Sequence, residues 1–220
     1  MDLRTPLLVV LVMLAALSAP AWGADSIAVL ERRVLVIERT ARASHHLELT
    51  VAYFDDSWTH EAIQAALREG AQILAQCQIG ITRVALVRIG APARYRDFYT
   101  PISRELASAL ALPKPTIYLV DRTRQQPAFE AEAIGRGNSA SRPELRDTVW
   151  VTRGARDLGI VIAHELAHVL MDSGEHSGAP DNLMREETAS GRVRLDAAQC
   201  ARLRETASAN GLLSPAPGSR

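Results

Sequence analysis

The chain of 220 residues sets 25 Lys and Arg against 25 Asp and Glu, is 47% hydrophobic and carries 2 cysteines. That length accommodates one compact domain with a short extension, and the apolar fraction is that of an ordinary globular core. Wholesale disorder, a collagen-like chain and a small fold held mainly by disulfides are therefore excluded. Zero net charge removes the electrostatic footprint of a nucleic-acid binder, and all but one of the basic residues are Arg, Lys114 being the single lysine.

Residues 1–23 read as a secretory signal peptide. Arg4 gives a modest positive start, residues 6–17 form an apolar run of about a dozen, and Ala21-Trp22-Gly23 places small residues at the minus-three and minus-one positions of a cleavage site. The run is shorter than the roughly 20 residues that cross a bilayer, and Pro20 follows it, so no stable membrane span is expected after cleavage. The expected organisation is a single domain over 24–212 and a flexible tail over 213–220, secreted or periplasmic. In an oxidising compartment Cys77 and Cys200 either form the single disulfide that two cysteines allow or stay as two buried thiols.

In chain order, residues 34–37 are a short strand candidate, His45-His46 a surface pair, and Leu47, Leu49, Val51 and Tyr53 alternate as a half-buried strand does. Thr59 can cap a helix over 60–76 whose apolar side carries Ile63, Leu67, Ile73 and Leu74. Strands are predicted at 82–89 and 116–120, with a helix from about Ser103 between them. The Arg94-Tyr95-Arg96 cluster is read as a surface loop with a packed aromatic. Residues 131–134 and 147–152 are further strands, Asp157 is an N-cap candidate for a helix over 158–171, and 196–209 is a closing helix. Strands grouped between a few helices predict an α+β fold with a mixed sheet in one domain.

The chemistry is concentrated in His164-Glu165-Leu166-Ala167-His168. At four-residue spacing the two imidazoles stand one turn apart on one helix face, so both can reach a single zinc ion, while Glu165 can address a metal-bound water. A pattern of this composition arises by chance in about one chain in a hundred of this length, before a helix is required of it. The surrounding Ile160, Val161, Ile162, Leu166, Val169 and Leu170 make the helix apolar nearly all round. Two histidines and a glutamate buried there without partners would each cost about 1 to 3 kcal/mol, and a bound cation removes that cost.

A catalytic zinc takes three protein ligands and keeps one position open. Gly174 can adopt the left-handed conformation that ends the helix and turns His176 toward the metal. His176 is the leading third ligand; Glu186 or Glu187, and after them Asp172 or Glu175, are the alternatives.

The run HELAHVLMDSGEH followed by Asn182-Leu183-Met184 resembles the metzincin clan of zinc endopeptidases. The resemblance implies zinc ligands His164, His168 and His176, Glu165 as general base and acid, and Met184 as the hydrophobic residue beneath the metal. Where the clan pattern has a glycine three residues after the second histidine this chain has Met171, and where it has the third ligand, six after, this chain has Gly174. The later glycine and histidine suggest a helix continuing for another turn. By the same analogy residues 131–138 form the sheet edge along which an extended peptide lies. The stretch 121–146, rich in Arg, Gln, Pro, Ser and Gly, reads as a rim of the cleft. Cys77 ends the early helix and Cys200 sits in the last, so a bridge between them would tie the first half of the chain to the segment after the site.

These readings imply an exported zinc metallopeptidase, with a peptide or protein substrate and one catalytic zinc. Two alternatives stand beside it: a gluzincin-type hydrolase with Glu186 or Glu187 as third ligand, and a zinc-binding exported domain without catalysis. Oligomeric state and side-chain preference leave no sequence signal.

Overall fold

A computed structural model describes residues 26–37, 43–54 and 57–216. The signal-peptide assignment over 1–23 lies outside the described residues, as do 217–220. Among the described residues, nine strands and four α-helices follow one another as β1 (Ala28–Val36), β2 (His45–Tyr53), α1 (His60–Leu74), β3 (Ile79–Gly90), β4 (Asp97–Phe98), α2 (Thr100–Leu110), β5 (Thr116–Val120), β6 (Arg122–Thr123), β7 (Ala131–Ile134), β8 (Thr148–Thr152), α3 (Leu158–Met171), α4 (Ala197–Ala209) and β9 (Leu213–Pro215). The main sheet runs β1-β3-β2-β5-β8-β7, and β4 with β6 makes a two-stranded ribbon. Strands β3, β2, β5 and β8 are mutually parallel, while β1 at one edge and β7 at the other run antiparallel to their neighbours. The fold is α+β with a mixed sheet, as its sequence pattern predicts.

Parallel strands joined by helices are covered on both faces, and the sequence shows it. Every residue of β5 and β8 is buried, and β2 is buried on both sides from Thr50 onward, more deeply than its alternation suggests. One core lies between the sheet and α1, α3 and α4, and includes Ile63, Leu67, Leu86, Val151, Leu166, Leu170 and Leu203. The second covers the opposite face, where Trp150 stacks on Tyr118 at 4.2 Å between ring centroids and meets Phe98 edge-on. Helices α1 and α3 pack closely because Gly159 has no side chain: a Cβ there would stand 2.8 Å from the Ala66 carbonyl oxygen.

Several local expectations change. Thr59 caps α1 through the Ala62 N–H, but Asp157 occupies the N-cap of α3 in a left-handed conformation, φ 47°, without a side-chain cap bond. Helix α2 begins at Thr100 because Pro101 falls in its first turn, where no N–H partner is lost, and the Ser103 hydroxyl accepts from the Tyr99 N–H. The tail expected to be loose from Leu213 begins as β9: residues 213–215 pair with the start of β2, on the edge that β5 does not reach, and Leu213 is buried. In the Arg94-Tyr95-Arg96 cluster Tyr95 is buried, with the Arg94 guanidinium over its ring and its hydroxyl donating to Glu105. Cys77 and Cys200 form a disulfide, joining the turn after α1 to α4. No helix among the described residues is long and apolar enough to cross a membrane.

Candidate metal centre

Helix α3 is buried along nearly its whole length, every residue from Gly159 to Met171 being buried. Its apolar residues are held there by area removed from water, and that burial carries His164, Glu165 and His168 into the interior with them. His164 is 3% exposed and His168 8%, so the state of each ring is set by its neighbours rather than by solvent. The His164 Nδ1 lies 2.7 Å from the Leu183 carbonyl oxygen, and the His168 Nδ1 lies 2.6 Å from that of Ser173. A carbonyl only accepts, so each ring must donate from Nδ1, which leaves Nε2 as a bare lone pair. The two Nε2 atoms face each other at 3.0 Å.

Burial lowers the pKa of both rings. For His164 desolvation leads, opposed by the Leu183 carbonyl and reinforced by His176. For His168 desolvation and then the neighbouring His164 outweigh the Ser173 carbonyl and bring it down to about 4. Both are neutral near pH 7, the form in which imidazole binds metals.

The third nitrogen comes from the loop. His176 is exposed, stacks near His164 at 5.6 Å and meets His168 edge-on at 5.0 Å between ring centroids. Donor atoms of all three histidines lie within 4.8 Å of one another. The loop is shaped from below by Asn182-Leu183-Met184: Ser177 N–H donates to the Met184 carbonyl at 2.6 Å, and the Asn182 side chain accepts from Met184 N–H at 2.8 Å. Asn182 is itself held by a reciprocal amide pair with Gln199, whose side chain also accepts from the Asp196 N–H in the capping box of α4. Met184, 1% exposed, belongs to the same core as Leu166 and Leu170.

Two backbone expectations are corrected. The helix does not run on for another turn but ends at Met171, and the left-handed residue that ends it is Asp172, φ 46°, not Gly174. The extra length between His168 and His176 is thus loop. Asp and Asn take this conformation more readily than most residues with a Cβ, which is why Asp172 can replace a glycine.

The other sequence candidates lie apart from the imidazole cluster. Asp172 accepts from the Gly137 N–H, Glu175 is bound to Arg202 and Ser173, and Glu187 pairs with Arg192 at 4.0 Å. Glu186 lines the same cavity as the histidines without joining their group. The orienting carbonyls of Leu183 and Ser173 have no side-chain signature, and sequence reasoning does not find them.

Glu165 lines the same cavity, beside β7. Burial raises its pKa to about 8, the charge of Glu132 adds to the rise, and a hydrogen bond from the Ala133 backbone opposes it. The cavity measures about 470 Å³ and is walled by α3 and by residues 131–138, so the predicted sheet edge does border the site.

The donor set suits a borderline cation such as zinc: three imidazole nitrogens, two of them already oriented with their lone pairs converging. Two lone pairs at this separation repel unless a proton or a cation stands between them.

No protein-family model matches the chain, and no curated protein matches it in sequence. Among solved structures, metalloproteinase-II from Bacteroides fragilis is similar over 79% of this chain at 18% identity and a TM-score of 0.48, and the chain spans 57% of that protein's length. Archaemetzincin from Methanopyrus kandleri is similar over 74% of this chain and 96% of its own, at 11% identity and a TM-score of 0.48. At these identities the likeness concerns fold alone, and the metal centre stands on its own imidazoles.

Proposed function

We propose that the protein is an exported zinc metallopeptidase, with a catalytic domain over 24–212 in which His164, His168 and His176 hold one zinc ion and Glu165 is the general base. The observation that carries the reading is the pair of Nε2 atoms meeting at 3.0 Å, each ring fixed by a carbonyl on its far side, with a third histidine adjacent. Three protein ligands beside an open cavity fit a catalytic site better than a structural one, which closes its metal with four. Zinc, when bound, supplies a Lewis acid that polarises a carbonyl and lowers the pKa of water to about 7.

The remaining chemistry belongs to the chain. The Glu165 carboxylate takes a proton from the attacking water and returns it to the leaving amine nitrogen. Glu165 directly follows His164 on the ligand helix and lines the same cavity, so it stays beside the centre through both transfers. Strand β7 pairs with β8 on one side only, so its outer edge can add an extended peptide as a further strand and present the scissile bond to the centre. Met184 is the apolar floor under the ligand helix. The Cys77–Cys200 bridge fits an oxidising compartment, and the sequence of residues 1–23 supplies the export signal.

Replacing Glu165 by Gln preserves size and removes the base. Glu165→Gln is expected to bind zinc as the wild type does and to lose peptide hydrolysis by about 10²- to 10⁴-fold, measured by turnover of a mixed peptide library alongside metal content. Undiminished turnover in the purified variant would remove Glu165 from the mechanism.

A further inference from the structure

Asp172 holds two neighbours in place from one position. Its left-handed backbone, φ 46° and ψ 50°, turns the chain so that Ser173 returns its N–H to the His168 carbonyl at 3.1 Å and presents its own carbonyl to the His168 ring. Its carboxylate reaches the other way, where Oδ1 accepts the Gly137 N–H at 2.9 Å, in the segment that continues β7. A Cβ on Gly135 would stand 2.7 Å from that same oxygen, so the glycine is what allows the approach. Asp172, Gly135 and Gly137 all face the cavity that holds the histidines.

This bond joins the end of the ligand helix to the chain just after the sheet edge. Glu165, the proposed base, and Ala133 of β7 line the same cavity, whereas Asp172 is a residue that no step of the reaction requires.

We infer that Asp172 is a positioning residue that clasps the substrate-facing edge after β7 to the end of the ligand helix, fixing their separation before a peptide binds. Its consequence for catalysis rests on the peptidase reading, whereas the clasp rests on the geometry. A peptide laid along β7 must bring one carbonyl to the metal centre, and an error of about 1 Å in that placement costs on the order of 10²-fold. Loss of the clasp therefore falls first on productive binding.

Three variants of the zinc-loaded full chain separate the roles of Asp172. Asp172→Gly keeps the left-handed turn and removes the carboxylate, Asp172→Asn keeps Oδ1 as an acceptor, and Gly135→Ala pushes the carboxylate away from the other side. Amide exchange at Gly137 is expected to accelerate about tenfold in Asp172→Gly and Gly135→Ala and to stay near wild type in Asp172→Asn. With a peptide drawn from a mixed library, KM is expected to rise about tenfold in the first two, with kcat within about threefold, and to recover in Asp172→Asn. Zinc affinity should not move in Asp172→Gly. Unchanged Gly137 exchange, an unchanged KM, or a loss of zinc in Asp172→Gly would each overturn the assignment. Should the wild type cleave no peptide, the peptidase reading fails, and the exchange rates alone keep or remove the clasp.

Discussion

At the scale of single residues, the centre is built by atoms that carry no sequence signature. His164 and His168 are legible because their spacing puts them on one face, but what fixes their tautomers is a pair of main-chain carbonyls, at Leu183 and Ser173. Second partners of this kind commonly tune ligand strength as much as the ligands do. The third ligand divides the readings most cleanly. His176 lies with the other two rings, and Glu186 lies on the cavity wall. His176→Ala is expected to weaken zinc binding about 10²-fold or more, while Glu186→Ala and Glu187→Ala leave it within a few-fold, as measured by competition with a chelator of known affinity. A larger loss in either glutamate variant would transfer the third position to a carboxylate.

At the scale of elements, legibility followed burial. Helix α3 and strand β5 match their predicted bounds because each is an uninterrupted apolar run between clear breakers. Strand β1 extends six residues before the predicted start at Val34, because it is an edge: Glu31, Arg32 and Arg33 lie within it, with Glu31 paired to Arg33 and Arg88, and charged edges hide a strand's alternation. Strand β9 is too short to announce itself and exists only because β2 has an unpaired stretch. The turn after α3 escapes the sequence for a different reason: a left-handed Asp172 does the work usually given to glycine. The disulfide belongs to this scale as well, since it closes a separation of 123 residues and ties α4, which supports Asn182 through Gln199, to the turn after α1. Replacing both Cys77 and Cys200 by Ala is expected to cost about 2–5 kcal/mol, read from denaturant unfolding. A loss below about 0.5 kcal/mol would show that the apolar cores alone hold α4 in place.

At the scale of the whole molecule, a neutral chain carries shifted groups beyond the imidazole cluster and Glu165, among them Lys114, half-buried on the loop before β5. Burial lowers the Lys114 pKa to about 8, against the attraction of Asp147 and with the help of Arg146. The folded pKa lies below the unfolded one of about 10.5, so the folded chain binds fewer protons between those values and stability rises with pH across that window. Below about pH 8 that contribution is lost. The stability of the wild type relative to Lys114→Met should therefore increase between pH 8 and 10.5, and parallel pH curves for the two proteins would contradict the shift. The metal centre is tested by X-ray absorption at the zinc edge on chain isolated without tags or chelators. The expected result is one zinc per chain in a first shell of nitrogen and oxygen, with scattering from three imidazoles and no sulfur. A chain that emerges empty and takes up no zinc at micromolar concentration, or a shell without imidazole, would contradict it.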